Sequence, residues 1–257
     1  MRFFAALSFL TTLRLPLRRS PTPEEVGGSL GYFPLVGLLI GAVLAALSLV
    51  LNQVLSATVA NALVLAALVV ITGALHLDGF VDTCDGLGGH RSVEERWRAM
   101  RDSRVGAFGI IGVVLLLVTK YVTLNSIPRS LMTATLLVMP VAGRWAMAYA
   151  VVAFPYARPS GMGEAFKRHS GRWSLTAATA ITLAAVTGAA WLADFRSFYL
   201  AGPILLAAVW LLTAAGAAFL RKRFRGLTGD SYGFLNETAE LGVLLLFSLA
   251  FWNRWAG

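Results

Sequence analysis

The stretch HLDGFVDTCDGLGGHR, residues 76–91, carries Asp78, Asp82 and Asp85. If the stretch is helical, spacings of i, i+4 and i+7 put all three carboxylates on one side, two turns apart at most. Like charges stacked in this way repel, and desolvation near a bilayer adds to the cost. A hard divalent cation relieves this most simply, since magnesium takes carboxylate oxygens in octahedral geometry and keeps positions open for phosphate oxygens. A solvated helix end is the bland alternative. Gly79, Gly86, Gly88 and Gly89 argue against it, because glycines weaken a helix and permit close backbone approach to a ligand. A metal or phosphate site is the expectation, with His76 beside it as a possible ligand contact.

Two further groups carry related chemistry. In RSVEERWRAMRDSRVGAFG, residues 91–109, Ser92 and Glu95 form a capping box that starts a short interfacial helix. It ends near Asp102, which can then sit at the depth of the aspartate triplet, while Arg101 and Arg104 can clamp phosphate oxygens or bind lipid headgroups. In GLTGDSYGFLNETAEL, residues 226–241, Asp230, Asn236, Glu237 and Glu240 open the last apolar run, with Glu240 a turn inside it. An ionisable group inside a membrane is a functional suspect that needs a partner. Arg144, in another apolar run, is the available one, either as a structural pair or at the substrate. Lys120 lies toward the outer half of its run and is expected to snorkel. Cys84 reads as a packing residue, and His90 and His169 as solvated positions.

The elements that hold these residues follow from composition. Of 257 residues 57% are hydrophobic and only 14% charged, and mean hydropathy is +0.71. So few ionised side chains cannot cover a soluble globule or sustain a disordered chain. With one cysteine and scattered histidines, a disulfide scaffold and a local zinc motif are also excluded. A single all-α polytopic membrane domain over 1–257 remains. No Asp, Glu, Lys or Arg occurs from Val26 to Leu77, room for two crossings with a turn near Asn52 to Ser56. Further apolar runs at about 107–127, 131–154, 174–192, 198–220 and 238–253 predict about seven crossings, within a range of six to eight. The first 16 residues read as an amphipathic interfacial helix. Segments 1–32, 76–106, 155–173 and 221–237 hold 17 of the 22 Lys and Arg and the alternate connections hold 3. This places the N-terminus and all acidic residues except Asp194 on the cytoplasmic side of the membrane. The charge of +9 is then an orientation device beside anionic lipid, with no nucleic-acid partner.

Aspartates, arginines and glycine loops at one membrane face suit metal-assisted phosphoryl transfer. No P-loop or Ser-His-Asp pattern is present. The D-x-x-D-G spacing of Asp82 to Gly86 looks like the opening of the CDP-alcohol phosphotransferase signature, but DGLGGHR departs from its continuation. A transporter would carry its ionisable groups near the midplane on broken helices, commonly with inverted repeats, and no repeat is visible. The string LHLDGFVDTCDGL followed by RDSRVGAFG, together with FPLVGLLIG from Phe33, YARPSGMGEAF from Tyr156 and GLTGDSYGFLNE from Gly226, resembles the cobalamin synthase family, the adenosylcobinamide-GDP ribazoletransferases. The resemblance spans nearly the whole chain.

That resemblance implies a magnesium-dependent inner-membrane enzyme. In the family, the ribazole 3′-hydroxyl attacks the phosphorus attached to cobinamide and expels GMP, with α-ribazole or its 5′-phosphate as acceptor. The family's aspartate motif falls on Asp78, Asp82 and Asp85, and its RDSR element on Asp102 and Arg104. Within it, Asp82 and Asp85 are expected to bind metal, Asp78 or Asp102 to complete the shell, and the carboxylate left free to accept the hydroxyl proton, with Asp82 and Asp102 as the catalytic residues. Arg101 and Arg104 would hold the diphosphate, and Asp230 would serve at a second site. His76, Arg144, Asn236 and Glu237 complete the expected substrate contacts. Beyond the two substrates and lipid, a homo-oligomer or contact with other corrinoid enzymes is conceivable.

Overall fold

A computed structural model describes residues 1–13, 19–89, 92–158, 162–193 and 198–249. His90 and Asp194 lie outside the described residues, as do parts of the 156–166 loop and the end of the last apolar run. The described chain is helical: α1 (Arg2–Leu10), α2 (Pro23–Ser29), a 3₁₀ turn (Leu30–Tyr32), α3 (Phe33–Leu51), α4 (Ala57–Thr72), α5 (Leu75–Leu87), α6 (Val93–Ala99), α7 (Ala107–Asn125), α8 (Arg129–Ala153), α9 (Met162–His169), α10 (Arg172–Leu192), α11 (Phe198–Phe224) and α12 (Gly229–Ser248). The helix starts are written locally. Thr22 with Glu25, Ser92 with Glu95 and Thr228 with Ser231 close capping boxes that satisfy backbone donors otherwise left open.

Five segments are long and apolar enough to cross a bilayer: Pro23–Leu51, Ala107–Asn125, Arg129–Ala153, Arg172–Leu192 and Gly202–Phe224. A sixth arises if α4 and α5 are taken as one span, broken by a bend of 90°. The all-helical polytopic plan is as expected, with five or six such spans where the apolar runs predict about seven. The missing one is α12, whose first twelve residues carry Asp230, Glu237 and Glu240. The turn between α3 and α4 falls at Asn52–Ser56, as expected.

The core runs through α8, where 78% of the apolar window is buried against 28% for α7, α10 and α11. Those outer helices leave Val114, Leu115, Val118, Ile204 and Leu211 exposed, a lipid-facing surface. The α1 helix does more than lie at the interface, since Ala6 and Leu10 are fully buried in the core. The break between α4 and α5 is made by two left-handed residues, Gly73 (φ 59°) and Ala74 (φ 58°), and it aims α5 into the bundle. There α5 meets α12 at backbone distance. A Cβ on Gly79 would lie 2.9 Å from the Asp230 backbone, and one on Gly233 would lie 2.8 Å from the His76 carbonyl oxygen. Phe80 and Phe234 stack beside this contact with centroids 4.9 Å apart. Glycine at both positions is what brings the aspartates of α5 to the first turn of α12.

Candidate active site

The site forms where α5, the start of α12 and the segment after α8 converge. A short parallel bridge ties Tyr156 to Leu227: the Ala157 N–H donates to Leu227 O at 2.8 Å and the Leu227 N–H to Pro155 O at 2.9 Å. This pairing carries Arg158 onto Asp230, at 3.2 Å. The Thr228 hydroxyl, which caps α12, also donates to Asp230 at 3.3 Å. Asp78 and Asp230 line one cavity of about 270 Å³ with His76, Arg158, Tyr156 and Tyr232. Asp82, one turn along α5 from Asp78, feels the charges of Asp230, Asp78 and Asp85. Among the described residues, neither Asp78 nor Asp82 has a hydrogen-bonded or ionic partner. Burial pushes the Tyr156 phenol above its usual range, so it stays a neutral donor at this mouth.

These three carboxylates face one guanidinium. The excess of hard oxygen donors fits a hard cation such as magnesium by donor chemistry. Among the described residues, no group of three or more His, Cys, Asp or Glu side chains is already arranged around a metal position.

Residues 2–248 match the CobS family, cobalamin-5-phosphate synthase. The chain belongs to this family. It is 39% identical to the adenosylcobinamide-GDP ribazoletransferase of Syntrophobacter fumaroxidans, covering 96% of this chain and 97% of the relative. The enzyme of the same name from Desulforamulus reducens is 35% identical over 95% and 94%, and one from Pseudomonas putida strain KT2440 is 38% identical over 96% and 98%. No solved structure matches.

Within the family's aspartate block, the structure separates residues that the sequence places together. Asp85 is not turned toward the shared cavity: its carboxylate accepts the Gly106 N–H at 2.8 Å and the Gly109 N–H at 2.7 Å, at the start of α7. Helix-terminal amides satisfy an anion well, so Asp85 ties α5 to the start of α7. Asp102 lines a second, open groove together with Asp85, Arg98, Arg104 and Gly106. It pairs with Arg104 at 3.1 Å, and those hydrogen bonds hold its carboxyl below the usual carboxylate range. Of the aspartate triplet, Asp102 thus meets Asp85, and it does not line the cavity of Asp78 and Asp230. Arg101, just past α6, lines a surface groove with Glu94, Trp97, Arg98 and Asp102. Neither Arg101 nor Arg104 lines the cavity of Asp78 and Asp230.

Arg144, Asn236 and Glu237, expected at the substrate, lie in a buried ionic group with Lys120 and Glu240. Lys120 is 2% exposed and donates to Glu237 at 2.5 Å and Glu240 at 2.7 Å. Arg144, with no exposed surface, pairs with Glu240, and the Asn236 amide donates to Glu240 at 3.2 Å. The Glu240–Arg144 pair is as expected, whereas Lys120 does not snorkel. Its ammonium sits among apolar helices, where only paired carboxylates make a charge tolerable. Sequence reading missed Arg158 as an Asp230 partner. The YARPSGMGEAF motif contains it, but only the bridge to Leu227 shows what it reaches.

Proposed function

We propose that this chain transfers the cobinamide phosphate of adenosylcobinamide-GDP to the 3′-hydroxyl of α-ribazole, or of its 5′-phosphate, at the cavity between α5 and α12. The observation that carries this reading is membership of the CobS family along residues 2–248, with relatives named for the activity covering about 95% of the chain. The geometry supports it, because carboxylates beside one guanidinium would hold a divalent cation, and the cation and guanidinium together suit a diphosphate.

The new bond joins the ribazole 3′-oxygen to the phosphorus attached to cobinamide. The bond that breaks joins that phosphorus to the bridging oxygen, and GMP leaves with the electron pair. Asp82, free of ionic partners, accepts the hydroxyl proton. Arg158, held by Asp230, meets a diphosphate oxygen in charge-assisted fashion. Asp78 and Asp230 would hold magnesium, which when bound neutralises charge on the diphosphate. Direct transfer is the reading we adopt, because among the described residues no Ser, Thr or Cys lines the cavity, and Cys84 packs toward Gly112 of α7. Trapping a phosphorylated or guanylylated protein would overturn this.

The protein is a multi-pass membrane protein. The Lys and Arg distribution supports an inner-membrane location with the cavity facing the cytoplasm. The test is GMP release by the detergent-purified protein from adenosylcobinamide-GDP plus α-ribazole, with and without magnesium. Release that needs both substrates and the ion is the expected result. Release without acceptor, or unaffected by chelation, would overturn the acceptor or the metal part of the reading respectively.

A further inference from the structure

The cavity shared by Asp78 and Asp230 contains more than a diphosphate site needs. Beyond its acidic end the walls are aromatic and aliphatic. Phe9, Phe33 and Phe166 pack on one another with centroids 5.0–5.9 Å apart, and Tyr156 and Tyr232 lie nearly parallel at 6.5 Å. Two buried polar groups on this wall have no hydrogen-bond partner. His76 is 2% exposed with both ring nitrogens unbonded, and Tyr232 is 4% exposed with its hydroxyl unbonded. Buried polar atoms are nearly always paired, so such groups lining a cavity point to a ligand that completes them.

The ligand's chemistry can be narrowed. A volume of about 270 Å³ accommodates a bicyclic aromatic base with part of its sugar, and not a corrin macrocycle with its amide arms. An acyl chain would fill the apolar part but leave His76 and Tyr232 unbonded. A planar heterocycle with a ring nitrogen suits the aromatic walls and accepts a hydrogen bond from one of these groups, which an acyl chain cannot do. We propose that this cavity binds the benzimidazole end of the ribazole acceptor, with His76 donating to the ring nitrogen that carries no sugar. The inference rests on the function proposed above. A neutral imidazole has one N–H to donate, and that ring nitrogen has a lone pair to accept it. The sugar then faces the acidic end, so that holding the base aims the 3′-hydroxyl at the carboxylates. The corrin ring stays outside, reaching in only through its phosphate.

The test measures GMP release by the purified full chain while each substrate is varied against saturating amounts of the other. His76→Leu is expected to raise KM for α-ribazole about tenfold, the usual loss when a polar group is left unpaired against a ligand. KM for adenosylcobinamide-GDP should stay unchanged, and His76→Asn, which keeps an N–H, should recover part of the loss. Val151→Phe, on the cavity wall, should shift acceptor preference toward the riboside of unsubstituted benzimidazole. If these variants do not fold, the wild-type protein decides alone: free 5,6-dimethylbenzimidazole should compete with α-ribazole and not with the donor. A rise confined to the donor KM, no change in either KM, or inhibition that does not compete with α-ribazole overturns the proposal. A wild-type protein that makes no GMP from the two substrates defeats the underlying reading instead.

Discussion

Two groups of ionised side chains lie within a few turns of each other on α12 and end in opposite electrostatic conditions. In the deeper one, Lys120 and Arg144 face Glu237 and Glu240, two cations against two anions, with the Asn236 amide as a further donor. In the other, Arg158 is the one cation set against Asp78, Asp82 and Asp230 among the described residues. The deeper group is balanced in charge, and each ionised side chain has an opposite charge at hydrogen-bond distance, although Arg144 Nε, one Arg144 terminal nitrogen and Asn236 Oδ1 have no hydrogen-bond partner. The cavity group is short of positive charge, which is the condition of a site that takes its counter-charge from outside. Balance of charge, more than residue type, separates the structural cluster from the candidate active one.

That contrast is easiest to break at Asp82. Asp82→Asn keeps shape and removes a proton acceptor, so turnover should fall by roughly 10³-fold, within the usual range for a general base. Folding should survive, because the substitution also relieves repulsion by Asp78 and Asp230. GMP release and the thermal midpoint in detergent, measured on the same preparation, check both halves. Near-normal turnover removes Asp82 from the chemistry, and a lowered midpoint removes the claim that the group is under repulsion.

The complementary change is Glu240→Gln in the deeper group, where the effect should fall on stability. It leaves Arg144 without its carboxylate and Lys120 with only Glu237, and removing one member of a buried ion pair costs about 3–5 kcal/mol. The protein should show a markedly lower thermal midpoint and poor yield. Glu237→Gln should do less harm, because Lys120 keeps Glu240. Equal midpoints for wild type and Glu240→Gln would mean that the deeper group is not structural.

The sequence shows how much of this is local. The i, i+4, i+7 spacing of the aspartates, the capping boxes at Ser92 and Thr22 and the uncharged run before Asp78 are short-range patterns, and the helices follow them. Helical spacing, however, reports only the face of α5 on which a side chain lies. It is silent on what meets that face, and so Asp85 looks like Asp82 until the start of α7 delivers two amides to it. Lys120 is obscure for the same reason: its compensating carboxylates are more than a hundred residues away. Arg158 depends on the bridge between Tyr156 and Leu227, a pairing with no pattern in either segment. The Glu240–Arg144 pair is legible because a charge in hydrocarbon needs an opposite charge, and few are on offer.

The smallest expected effect tests whether Asp102 belongs to the cavity group at all. Its carboxylate is open to solvent beside Arg104, lines a different groove from Asp78 and Asp230, and is already satisfied by hydrogen bonds from the Arg104 side chain and backbone. An exposed pair of this kind contributes little to stability. Asp102→Asn should therefore leave the thermal midpoint unchanged and turnover close to wild type, in contrast to the collapse expected at Asp82. A loss as deep as that of Asp82→Asn would require the 101–106 loop to swing toward α5 when substrate binds, and the imbalance in the cavity would then involve four carboxylates, not three.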